Sequence, residues 1–168
     1  MQRAIHIFPE FENKHLIEQV RKKFDPLYGL VPPHITLVFP FESEIPTSRL
    51  EQHVRDTLVN VCPFPIQLKG ITATLDKHLF LNVKKGNDNI IELHERLYSG
   101  LLSGFMNRRF TYTPHLTVGR LNDETELQTA LDDTESFEAC FNIVVNKVAS
   151  EIIESNGDST IEFIISLS

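Results

Sequence analysis

Pro33-His34-Ile35-Thr36-Leu37-Val38-Phe39 and, far downstream, Pro114-His115-Leu116-Thr117-Val118-Gly119-Arg120 are the stretches whose reading decides the fold. Each sets a histidine and a threonine two residues apart in an apolar run, and side chains on a β-strand alternate faces with a period of two. His34 and Thr36 therefore share one face while Ile35 and Leu37 share the other, and His115/Thr117 against Leu116/Val118 repeat the division. Each strand buries its aliphatic residues and presents an imidazole and a hydroxyl to a cleft. Two such strands make one site.

The chemistry this suits is phosphoryl transfer at a diester. Imidazole titrates near pH 6.5, so one histidine can act as base while the other, protonated, acts as acid. The motif leaves open which is which. Two hydroxyls beside them hold the non-bridging phosphate oxygens where charge builds up, and no metal is required. A lone His-x-Thr would be weak evidence, since threonine is common in strands. Recurrence of proline, histidine, aliphatic, threonine and aliphatic in both halves of a short chain has no evident structural need.

On these motifs the chain resembles the 2H phosphoesterases, within them the LigT-like or 2'-5' RNA ligase family. Members carry two His-x-Thr motifs, one in each lobe of a pseudo-twofold bilobal fold, matching His34/Thr36 and His115/Thr117. The resemblance implies catalysis by His34 and His115, phosphate binding by Thr36, Thr117 and Arg120, and stacking of a base on Phe39, the aromatic five residues after the first histidine. Tyr112 is placed at the cleft edge as a second stacking residue. No cofactor is implied. Phe39 and Arg120 lie an odd number of residues from their histidines, so a regular strand would aim both away from the cleft. A bulge or strand end must re-aim them, and Pro40 and Gly119 are suitable places. As a plain core residue, Phe39 would follow the general habit of phenylalanine.

With 168 residues, 41% hydrophobic and 23% charged, the chain reads as a single domain of two lobes sharing a core over residues 1–168. No run is long enough to span a membrane and the N-terminal stretch is too soon interrupted for a signal peptide, which together read as a cytoplasmic protein. Cys62 and Cys140 stand far apart and read as buried thiols. The formal charge of −7 argues against an extended nucleic-acid surface. A small nucleotide or an RNA end needs only a local positive spot, from Arg120 with Arg108 and Arg109, and the protein is read as a monomer. The acidic field holds protons on imidazole, opposed locally by Arg120, and places the pH optimum nearer neutrality than strong acid.

The remaining pattern gives a first strand over Arg3 to Phe8, with His6 structural, and an amphipathic helix on Leu16, Ile17, Val20 and Phe24 stopped by Asp25-Pro26. A helix follows the first motif, opened by a Ser48/Glu51 capping box. A hairpin turns at Asp76-Lys77, and a third helix runs from Ile90 to Leu101, ended by Gly100 or Gly104, with His94 a bonded core histidine. Asp123/Glu126 caps a fourth helix. A strand over Phe141 to Ile153, broken near Ala149-Ser150, turns at Asn156-Gly157-Asp158 into the last strand. The class is α+β, with mainly antiparallel sheets flanked by helices around a central groove.

The function expected is a metal-independent phosphodiesterase acting on 2',3'-cyclic phosphate or 2',5'-linked nucleotides or RNA ends, with joining as the reverse reaction. A metal hydrolase is disfavoured, because two histidines with no repeated carboxylate fall short of the three protein ligands of catalytic zinc. A non-catalytic module binding a phosphorylated nucleotide is the alternative.

Overall fold

The computed structural model describes residues 1–168. In chain order the elements are β1 (Gln2–Ile7), α1 (Lys14–Phe24), β2 (Ile35–Glu42), α2 (Thr47–Thr57), β3 (Phe64–Ala73), β4 (His78–Lys85), α3 (Asn87–Leu97), a 3-10 turn (Gly100–Phe105), β5 (His115–Arg120), α4 (Glu124–Thr134), β6 (Cys140–Val145), β7 (Lys147–Ile153) and β8 (Ser159–Ser166). The strands form two four-stranded antiparallel sheets, ordered β2-β1-β7-β8 and β5-β4-β3-β6. This is the expected α+β class with antiparallel sheets. No helix is long and apolar enough to cross a membrane.

The two sheets repeat one plan. A strand, a helix and a motif strand follow each other as β1-α1-β2 and again as β4-α3-β5, and each motif strand is the edge of its sheet. The helices are exchanged: α1 packs on β5 and α3 packs on β2. One apolar core joins the halves, with Ile35 and Leu37 from one sheet, Leu81 and Leu116 from the other, and Ile17 and Leu93 from the helices.

Each motif strand carries one extra residue at the same offset from its histidine. In β2, Thr36 lies opposite His6 and Val38 opposite Ile5, so Leu37 is extra. In β5, Thr117 lies opposite Phe80 and Gly119 opposite Leu79, so Val118 is extra. Such a bulge sets two consecutive residues against one and reverses the alternation beyond it. Leu37 and Val38 are therefore both buried, as are Val118 and Gly119, and Phe39 and Arg120 come round to the cleft face. The bulge at Gly119 is where the sequence placed it. The one that re-aims Phe39 precedes Pro40; a second slip, at Phe39-Pro40, returns Phe41 to the core.

Other expectations are corrected. Helix α2 begins at Thr47 with Pro46 at its cap, and there is no side-chain cap bond because the proline ring carries no acceptor. Helix α3 stops at Leu97, and Leu101 belongs to the 3-10 turn that begins with Gly100 at φ +47°. The late break falls at Asn146, where the chain leaves one sheet for the other, and Ala149-Ser150 lies within β7. Cys62 is exposed and Cys140 partly exposed, each as a free thiol.

Gly119 sits where β5 meets α1. A Cβ added there would lie 3.0 Å from Leu79 Cδ1 and 3.1 Å from Phe24 Cβ. Gly119→Val is expected to destabilise by about 1–3 kcal/mol through overpacking. Urea unfolding checks this, and a midpoint equal to wild type would show that the bulge does not need glycine.

Candidate active site

His34 ends the Pro32-Pro33 approach to β2, and His115 opens β5. Nδ1 of His34 lies 2.8 Å from the Pro32 carbonyl oxygen, and Nδ1 of His115 lies 2.6 Å from that of Thr113. A carbonyl only accepts, so each Nδ1 carries the proton and each Nε2 is left for chemistry.

Their surroundings differ. His34 is backed by two rings of β1 and the residue after it: His6 at a centroid distance of 4.4 Å and Phe8 at 6.0 Å. His6 is buried, and its Nε2 meets Glu151 Oε1 at 2.7 Å. Burial pushes the Glu151 carboxyl up, but the hydrogen bond and charge of His6, with the Ser159 hydroxyl, outweigh it and hold the group below the usual carboxylate range. Nε2–H of His6 therefore donates, and its buried Nδ1 has no protein partner. His115 instead lies face to face on Phe80, 3.5 Å between centroids and 8° between planes, with His78 beyond.

Burial, then the charge of His6, push the His34 imidazole down to about 3, with Arg120 adding to this and the Pro32 carbonyl and Glu151 opposing. Burial also lowers His115, assisted by His78 and Arg120 and opposed by the Thr113 carbonyl and Asp76. Desolvation thus acts against the acidic net charge at both imidazoles. One guanidinium acts on both imidazoles, as β2 and β5 meeting each other requires.

Arg120 is held at 2.5 Å by Asp25, whose side chain is buried and also takes Nε of Arg21 at 2.9 Å. Read in the sequence as a helix stop, Asp25 is the residue that aims Arg120. Thr36 and Thr117 are partly buried, each opposite a cleft-face residue, His6 and Phe80. Phe39 is 46% exposed, and its ring meets the edge of Tyr112. Tyr112 has one face covered by His94, 3.7 Å away and parallel, and its hydroxyl donates to the Thr36 carbonyl at 2.7 Å. It ties the approach of β5 to β2 and is partly buried against the core. Arg108 and Arg109 lie exposed in the loop before β5. Sequence reading missed His6, Glu151 and Phe80 as neighbours of the pair. A signal was available for His6 and Phe80, each an aromatic ring in a strand that precedes a motif strand and pairs with it; nothing local marks Glu151.

Comparison with known proteins supplies the lineage. The family model for the 2'-5' RNA ligase superfamily matches residues 8–149. A protein of Geobacillus kaustophilus named "Putative phosphoesterase" is 34% identical over 122 residues, 71% of this chain and 69% of that one. A similarly named protein of Bacillus licheniformis is 26% identical over 96% of this chain and 95% of its own. Among solved structures, E. coli LigT complexed with 3'-AMP superposes with a TM-score of 0.67 at 16% identity, covering 99% of this chain and 98% of that one. A Thermus thermophilus protein gives 0.66 at 15% identity, covering 99% and 98%. At such identities the structures speak for the fold.

The imidazole shifts are measurable directly. By NMR, His34 and His115 should titrate below the ordinary histidine value of about 6.5, His34 lowest. His6→Phe removes the largest charge acting on His34 and should raise its midpoint. A midpoint for His34 at or above that of His115 would contradict the asymmetry.

Proposed function

Because this chain belongs to the 2'-5' RNA ligase superfamily of 2H phosphoesterases, we propose that it is a phosphodiesterase for 2',3'-cyclic phosphate or 2',5'-linked nucleotides, with His34 as base and His115 as acid. The observation that carries the reading is the pair of imidazoles with Nδ1 pinned in the same way and Nε2 free. Neither histidine is spent on the fold, which a module that only binds would not need.

The roles follow from the surroundings. An imidazole held neutral accepts a proton, so Nε2 of His34 takes it from the attacking water or hydroxyl. An aromatic face stabilises a neighbouring cation, so Phe80 favours the imidazolium of His115, whose Nε2–H protonates the leaving oxygen. Thr36 and Thr117 hydroxyls donate to the non-bridging oxygens, and Arg120, steadied by Asp25, offsets the charge that grows there. In the reverse, joining direction the roles exchange, with Nε2 of His115 taking the proton of the attacking hydroxyl and Nε2–H of His34 giving its proton to the leaving oxygen. The substrate is a small nucleotide or an RNA end, taken by a cytoplasmic monomer.

His34→Ala and His115→Ala are each expected to lower turnover of a 2',3'-cyclic nucleotide about 10²- to 10⁴-fold, and activity should persist in excess EDTA. Wild-type rates in either variant would sink the two-histidine mechanism; complete, metal-reversible loss on chelation would sink the metal-independent one. A p-nitrophenyl ester, whose leaving group needs no proton, separates the roles. His115→Ala should recover most of its rate on it while His34→Ala stays slow, and the opposite pattern would exchange acid and base.

For wild type, kcat/KM should be bell-shaped in pH. The acid limb falls as the base becomes protonated and the alkaline limb as the acid loses its proton, and both pKa values are lowered, so the maximum should lie below pH 6.5. A rate that rises to a plateau and stays flat through alkaline pH would remove the need for a protonated histidine.

A further inference from the structure

Arg21 is a buried charge that the proposed mechanism leaves unused. The last turn of α1 reads Arg21-Lys22-Lys23, a basic run of the kind that faces solvent at a helix end, and Lys22 and Lys23 do face it. Arg21 is instead 1% exposed. All three of its nitrogens have acceptors. Nε donates to Asp25 Oδ2 at 2.9 Å, and Nη2 donates to the carbonyl oxygens of Val31 at 2.9 Å and Leu27 at 3.3 Å. Nη1 meets the partly exposed Glu18 carboxylate at 3.3 Å, on the outer side where solvent screens the pair.

These acceptors lead to both motifs. With Arg21 on its Oδ2, Asp25 meets Arg120 and the Leu27 N–H through Oδ1 alone. One carboxylate thus stands between two guanidiniums, which leaves a surplus of positive charge where Arg120, 27% exposed, comes round to the cleft. Without Arg21, the charges of Asp25 and Arg120 would cancel, and little would remain to offset a phosphate.

Val31 makes the second connection. Its carbonyl belongs to the peptide bond that enters Pro32, and a peptide unit is planar, so a bond to that oxygen holds the whole plane. The Pro32 ring fixes the next torsion, φ. Only ψ of Pro32 then stands between the held plane and the carbonyl that takes Nδ1 of His34. Arg21 reaches the tautomer of His34 by this short, stiff path, from a helix that itself packs on β5.

A buried ion pair that serves stability alone can often be replaced by apolar side chains of similar volume without loss. Here the guanidinium takes its acceptors from the two segments that carry the site. We propose that Arg21 is a positioning residue for both motifs: it keeps Asp25 from neutralising Arg120 at the phosphate, and it holds the Val31-Pro32 peptide so that His34 presents Nε2. This deepens the phosphodiesterase reading and rests on it for the identity of the anion.

NMR of the full chain tests this without turnover. In alkaline buffer, where both rings are neutral, the ring nitrogen shifts of His34 and His115 report the tautomers, and their response to inorganic phosphate gives its affinity. Arg21→Lys keeps the charge and one bond to Asp25 but lacks the fork that spans Asp25 and Val31, so phosphate should bind within about twofold of wild type. His34 should then mix Nδ1–H and Nε2–H forms while His115 keeps its single form. Arg21→Met removes the charge and should weaken phosphate about tenfold, the effect of one unit charge a side chain away at an effective dielectric of about 20. Adding Asp25→Asn restores the charge balance and should recover most of that loss. An unmixed His34 in Arg21→Lys overturns the inference, as does an unchanged phosphate affinity in Arg21→Met or a loss that Asp25→Asn does not reverse, the result a merely structural arginine would give. If Arg21→Met does not fold, the lysine variant decides. Wild type whose rings do not respond to phosphate overturns the phosphodiesterase reading, and the tautomer of His34 in Arg21→Lys still decides the positioning role.

Discussion

Where Leu37 is inserted into β2, the strand leans on side chains from the other half of the molecule. Nδ1 of His94 donates to the Leu37 carbonyl at 2.8 Å, the Tyr98 hydroxyl accepts the Phe39 N–H at 3.0 Å, and Tyr112 donates to the Thr36 carbonyl. A buried backbone group left unpaired costs about 1–3 kcal/mol, so three satisfied together at an edge strand fix its course. His94 lies on α3, the helix that leads into the second motif, and Tyr98 caps its C-terminal end one turn on. The reciprocal contact runs from Phe24 of α1 to Gly119. Each bulge is thus clamped by the helix of the opposite half, and that exchange brings the two edge strands to a common groove.

A repeated motif in unlike surroundings would let one site hold an acid and a base at the same pH, as the proposed mechanism requires. His34 and His115 share tautomer, strand position and the field of Arg120. The neighbour on the adjacent strand separates them, a histidine bound to a carboxylate behind one and a phenylalanine face under the other. Pairs of titratable groups pushed apart by environment mark acid and base assignments. The asymmetry lies in β1 and β4, outside both motifs.

The two His-x-Thr repeats were legible because strand alternation is local and a repeat needs no alignment to see. So was the need for a bulge, since Phe39 and Arg120 were out of phase with their histidines. Its site in β2 was not, because Leu37 and Val38 look like any buried pair and only the register against Ile5 and His6 shows the extra residue. The same reason hid Asp25 and Glu151. Asp25 reads as a helix stop and Glu151 as a strand carboxylate, until tertiary packing brings Arg120 to one and His6 to the other. The sheet switch at Asn146 escaped for want of glycine or proline to mark it, so the break was assigned to small residues nearby.

Whether both motifs serve one phosphate is decided by a crystal structure with a nucleoside 2'-monophosphate bound. Phosphate oxygens should lie within hydrogen-bond distance, about 2.6–3.2 Å, of Nε2 of both His34 and His115, with the Thr36 and Thr117 hydroxyls on the remaining oxygens. A phosphate held by one motif alone, or outside the groove between β2 and β5, would contradict it.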